Sequence, residues 1–135
     1  MNEFDFLSNF YECNVDYEGI VWRTSEHAYQ AMKTLNPEQR LNMTEIYMPG
    51  DAKAYGRAVK MRSDWNEVKL GIMEDIVRCK FQQNPRLQEK LLLTGDLPIE
   101  EGNTWKDTYW GICLFTGVGQ NHLGKILMKI RKELQ

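Results

Sequence analysis

The segment Asp64–Phe81, DWNEVKLGIMEDIVRCKF, constrains this chain more than any other stretch. Val68, Ile72 and Ile76 recur at four-residue steps with Trp65, Met73 and Val77 alongside, so a helix here carries one apolar stripe facing a core. Asn84-Pro85 breaks that helix. The other elements have to supply the surface it packs on. "CNVDYEGIVWRTS" predicts two short strands around the turn Tyr17-Glu18-Gly19. A helix follows from about Ser25, and Asn36-Pro37 restarts another through Tyr47. "MPGDAKAYGRAVK" predicts a helix with an Asp cap running to about Lys60, and "PRLQEKLLLTG" a short helix stopped by Gly95. "LPIEEGN" and "TYWGICLF" predict short strands. The C-terminal "NHLGKILMKIRKEL" aligns Leu123, Ile126, Leu127, Ile130 and Leu134 on one helix face. The expected class is α+β: one compact, helix-rich domain over residues 1–135, with a few short strands and no linker or repeat.

A chain of 135 residues is long enough for a real core. Its net charge of −2 gives no global basic field for holding nucleic acid, so any such contact must be local. Cys13, Cys79 and Cys113 are odd in number and far apart, which fits reduced cytoplasmic thiols better than a disulfide framework or a zinc site. Two histidines without clustered carboxylates argue against a transition-metal site. "MNEFDFLSNF" carries neither a basic leader nor a long apolar run, so neither a signal peptide nor a membrane span is expected.

The chemistry concentrates in a few stretches. In TSEHAYQAMK (24–33), Glu26, Gln30 and Lys33 fall within about 60° of one another on a helix, while Ala28, Ala31, Met32 and Leu35 take the opposite side. The row is either a solvated face or a site in which a first-turn carboxylate stays ionised beside the helix dipole. His27 reads as structural. Lys53, Arg57 and Lys60 make a basic stripe suited to a diphosphate, or simply a solvated face. Lys80 continues the line of Val68, Ile72 and Ile76, and so either snorkels or enters a pocket. Gly119-x-x-x-x-Gly124-Lys125 approaches a phosphate loop. Ile126 stands where that loop needs Ser or Thr, which excludes ATPase chemistry and leaves ligand contact open. In "KDTYWGICL", Tyr109 and Trp110 either sandwich a ring or belong to the core.

Seven stretches in order, FLSNFY (6–11), TSEHAYQAMK (24–33), GDAKAYGR (50–57), DWNEVKLGIMEDIVRCKF (64–81), LLLTGD (91–96), DTYWG (107–111) and GQNHLGKILMKIR (119–131), resemble the YbiA-like family of the NADAR superfamily over nearly the whole chain. The resemblance implies a compact helix-rich α+β fold and an N-glycosidase that cuts a ribosyl C1′–N bond. The implied substrates are ADP-ribose on guanine, in a nucleotide or nucleic acid, or phosphorylated intermediates of riboflavin synthesis. By motif, Glu26 is the acid of the SEH segment and the first catalytic candidate, with Gln30 and Lys33 facing the same site. Ser8, Asn9 and Phe10 match the SNF segment and are expected to contact sugar or base. Trp65, Trp110, Gly111 and Asn121 are carried over as substrate-binding residues, with Lys53 and Arg57 holding phosphate. After Trp-Gly the chain runs Ile-Cys-Leu-Phe-Thr, where family members often carry a more polar, glycine-rich loop.

Cleavage through an oxocarbenium-like state needs a carboxylate at the anomeric carbon and help for the departing nitrogen. Glu26 suits the first role or the activation of water, with Asp107 as possible partner. Lys33 or Lys80 would serve instead as a Schiff-base nucleophile. Neither route requires a metal or redox cofactor. A reader module that binds ADP-ribose without turnover is the competing class, and the joint presence of Glu26, Asp107 and Trp110 argues against it.

Overall fold

The hairpin forms as expected: β1 (Val15–Tyr17) pairs antiparallel with β2 (Ile20–Trp22), Val15 opposite Trp22. Glu18 and Gly19 both have positive φ, 54° and 77°, which is the twist a two-residue hairpin turn demands. The computed structural model describes residues 2–135 and divides into two units, the first ending at Pro85 and the second spanning Arg86–Gln135. The class is α+β, with six α-helices and four short strands among the described residues.

In the first unit, α1 (Ser25–Ala31) packs against α2 (Pro37–Thr44), α3 (Pro49–Ala58) and α4 (Trp65–Gln83), while the hairpin lies on α4. Thr24 caps α1, its Oγ1 accepting from His27 N at 3.1 Å. Asn36 caps α2 by accepting from Glu38 N and Gln39 N, with Pro37 in the first helical position. α2 stops at Thr44, short of the expected Tyr47. α3 opens on Pro49 after Met48, not on an Asp cap, because proline's fixed φ and missing N–H suit that first position. It closes at Ala58, since Val59 is extended at φ −73° and ψ 158°. On α4 the deepest line is Trp65, Met73, Ile76, Val77, Lys80 and Phe81, whereas Val68 and Ile72 are only half-buried. Gln83 ties α4 to β1, its amide exchanging two 2.8 Å bonds with the Asp16 backbone.

In the second unit, α5 (Pro85–Leu93) buries Leu87 and Leu91, and α6 (His122–Leu134) buries Leu123, Ile126, Leu127 and Ile130. The two predicted strands shrink to a two-residue parallel ladder, β3 (Gly102–Asn103) beside β4 (Ile112–Cys113). Arg131 is buried, its Nη1 donating to Thr94 Oγ1 at 2.9 Å and Leu97 O at 2.8 Å.

Candidate active site

Every residue of α1 is buried, Glu26 and Gln30 of the polar row included, while Lys33, just past the helix, is half-buried. Glu26 is 8% exposed and Gln30 3%, which rules out a solvated face. The apolar side expected of Ala28, Ala31 and Met32 is buried too, but Leu35 lies beyond the helix end and is exposed. Burying a carboxylate is unfavourable unless it is paired or hydrogen-bonded, and here Gln30 Nε2 donates to Glu26 Oε1 at 2.8 Å.

The SNF segment fastens onto the start of α1. Asn9 O accepts from Glu26 N at 3.1 Å, and Asn9 Oδ1 accepts from Ser25 Oγ at 2.9 Å. Asn9 Nδ2 points at Met73 Sδ, 3.3 Å away on α4. Ser8 and Phe10 instead line a cleft of about 500 Å³ with Asp5, Tyr11 and Glu12, and the Phe10 ring is exposed. Lys80 does not snorkel. It is 1% exposed, and its Nζ donates to Phe6 O at 2.7 Å and Ser8 O at 2.9 Å, pinning the N-terminal segment to α4. His27 is structural in the way expected: Nε2 meets Ile46 O at 2.9 Å and Nδ1 meets Thr24 Oγ1 at 2.7 Å, and burial lowers its pKa.

Lys33 follows the C-terminal end of α1, with Arg62 N donating to its carbonyl at 2.7 Å. Its Nζ lies 5.9 Å from the centre of the Tyr29 ring, which in turn packs at 5.1 Å on Trp65. Desolvation lowers the Lys33 pKa. Glu26 opposes that shift, and Arg57, Lys53 and Lys69 add to it. Lys53 and Arg57 of α3 are thus close enough to act on Lys33. Lys60 falls past the end of α3, its backbone N–H bonded to Gln39 Oε1 at 3.3 Å. Sequence reasoning missed Lys69. The available signal was its place four residues after Trp65 and four before Met73, on the inward line of α4.

Asp107, Trp110, Gly111 and Asn121 lie in the second unit and are tied to their own surroundings. Asp107 Oδ1 accepts from Tyr109 N at 3.1 Å and Trp110 N at 2.9 Å, and the Asn103 side chain bonds the Asp107 backbone at both N and O. The Tyr109 ring sits 4.8 Å from Trp110 and 4.5 Å from His122. Asn121, left-handed at φ 54°, donates from Nδ2 to Ile99 O and accepts at Oδ1 from Glu101 N. A Cβ on Gly111 would overlap Glu101 O, so this glycine serves a close backbone approach. No group of three or more metal-ligating side chains comes together among the described residues.

The α+β fold thus sets a buried acid, bonded to an amide, on the helix that precedes Lys33, and two cations of α3 and one of α4 act on that lysine. The NADAR domain model matches residues 1–135, and the chain belongs to that family. It is 34% identical to the N-glycosidase YbiA of Escherichia coli (strain K12), covering 98% of this chain and 83% of that protein. A Nostoc punctiforme N-glycosidase is 37% identical, with 96% of this chain and 85% of that protein covered. A riboflavin biosynthesis protein of Vibrio vulnificus is 40% identical over 96% of this chain, which spans only 35% of that longer protein. The NMR structure of E. coli YbiA superposes with a TM-score of 0.87 at 33% identity, covering 98% of this chain and 79% of that one.

Proposed function

We propose that this chain is an N-glycosidase that hydrolyses a ribosyl C1′–N bond, removing ADP-ribose from guanine in a nucleotide or nucleic acid. The observation that carries the reading is the burial of Glu26 beside Gln30, with Lys33 within reach of Glu26, Lys53, Arg57 and Lys69. The names of the E. coli and Nostoc relatives support the reaction class. As the C1′–N bond breaks, positive charge grows on the ribose, and the Glu26 carboxylate stabilises it. Water then adds to C1′, its proton accounts for the departing base, and the cations hold the diphosphate in place. Asp107 is assigned to its loop, because its carboxylate already accepts two backbone N–H groups.

A lysine route is favoured by one observation: burial and three neighbouring cations push the Lys33 ammonium toward the neutral amine. In that route Lys33 attacks C1′ of the ring-opened ribose, the base leaves, and water releases the sugar from the imine. Phosphorylated riboflavin-pathway intermediates form the second substrate class, supported by the Vibrio relative's name. No described helix is long and apolar enough to cross a membrane, and three free cysteines suit the cytoplasm.

The test is incubation of purified protein with guanosine-linked ADP-ribose, and separately with phosphorylated ribosylamino-pyrimidine, followed by chromatography with mass detection. Free guanosine or guanine together with ADP-ribose upholds the first reading. Release only from the pyrimidine substrate transfers the assignment to the riboflavin intermediates. Binding of intact ligand without release overturns the enzyme reading in favour of a reader module. Borohydride added during turnover separates the routes: a reduced sugar adduct on Lys33 establishes the imine, and turnover without an adduct leaves the carboxylate.

A further inference from the structure

Gln30 does more than complete a polar row. Its Nε2 donates to Glu26 Oε1 at 2.8 Å, while its Oε1 is buried with no hydrogen-bond partner among the described residues. Turning the amide over would set two oxygens against each other, so the bond to Glu26 fixes which end faces the carboxylate. The other end lies against Gly56 of α3. A Cβ at position 56 would overlap Gln30 Oε1 and come to 2.8 Å from its Cδ and 3.2 Å from its Cβ. Glycine within a helix is unfavourable relative to alanine, and Gly56 is not among the glycines with positive φ. Backbone freedom therefore does not explain it. Room for the Gln30 amide does.

We infer that Gly56 and Gln30 form a positioning pair for Glu26, in which the missing Cβ of one helix seats the amide that orients the carboxylate on the other. The inference rests on the reading of Glu26 as the catalytic acid. A methyl group at 56 meets chiefly the far end of a flexible side chain, so the fold can absorb it by moving that amide, with a shift of a few tenths of an ångström to relieve the 3.2 Å approach to Gln30 Cβ. The amide cannot move and keep its bond to Glu26. Tolerance by the fold and damage to the reaction are therefore separable.

The experiment compares Gly56→Ala, Gln30→Ala and the double variant. Gly56→Ala is expected to fold with a modest fall in melting temperature, because helix propensity offsets part of the lost Gln30–Glu26 bond, to lower kcat about tenfold or more, and to leave KM within about threefold. In the Gln30→Ala background there is nothing left to displace, so adding Gly56→Ala should change kcat no further. Equal and independent losses from the two substitutions, or a Gly56→Ala protein with the parent's kcat, would overturn the pairing. Should Gly56→Ala not fold, recovery of the fold in the double variant upholds the pair, and failure to recover overturns it. A readout independent of turnover is the Gln30 side-chain NH₂ resonance in ¹⁵N-labelled protein, expected to exchange slowly in the parent and to move in Gly56→Ala. If the parent cleaves no substrate, the glycosidase reading fails alone, and an unmoved resonance would separately overturn the pairing.

Discussion

Two carboxylates that look alike on paper differ in what surrounds them. Glu26 is held by a side-chain amide and lies close enough to act on Lys33, whereas Asp107 accepts the N–H groups of Tyr109 and Trp110. Asparagine keeps an acceptor oxygen in the same place, so Asp107→Asn should turn over within about threefold of the parent, and Asp107→Ala should lose about 1 kcal/mol of stability in urea titration. A large kcat loss in Asp107→Asn would return that acid to the reaction. His27 gives a pH dependence. The folded ring stays neutral below the ordinary 6.5, so between the folded and unfolded pKa values the unfolded chain binds more protons. Its contribution is complete above about 6.5 and is lost as pH falls through the folded pKa. The urea midpoint of the parent should therefore drop between pH 7.5 and 5 more steeply than that of His27→Gln, and parallel slopes would contradict this.

Among the helices, α4 and α6 were legible because their apolar residues repeat with the helical period, and the hairpin because Glu18-Gly19 is turn chemistry. The burial of the polar side of α1 was not legible. Spacing tells that Glu26, Gln30 and Lys33 share a direction, but not that α3 covers it, and the signal for that cover is one glycine, Gly56. The basic stripe was half legible for a related reason: extending it along α3 to Lys60 overran the helix, while Lys69 joined from α4. Lys80 shows how an apolar line can end in a cation that still faces inward, since the backbone carbonyls of Phe6 and Ser8 receive it. Lys80→Met would leave both carbonyls without this donor and should cost about 2–4 kcal/mol in urea unfolding. A variant as stable as the parent would show that the pin contributes nothing.

The chain as a whole is slightly acidic, at −2, yet four of its cations are grouped near one helix end. Such a protein should bind an anionic substrate through a local field and ignore bulk nucleic acid. KM should therefore rise several-fold between about 50 and 300 mM salt while kcat holds, because screening weakens phosphate contacts and leaves the buried acid untouched. Arg57→Ala should raise KM about tenfold, keep kcat within about threefold, and flatten that salt dependence. An equal fall in kcat and kcat/KM would place Arg57 in the reaction itself.

The most direct test of the account is the turnover of Glu26→Gln on guanosine-linked ADP-ribose at saturating substrate, followed by mass-detected chromatography. The isosteric amide can still accept from Gln30 Nε2, so the fold and ligand binding should persist. Loss of the carboxylate charge should lower kcat by about 10² to 10³. A Glu26→Gln protein that releases ADP-ribose at the parent's rate would contradict the assignment of the buried row on α1 as the reaction centre.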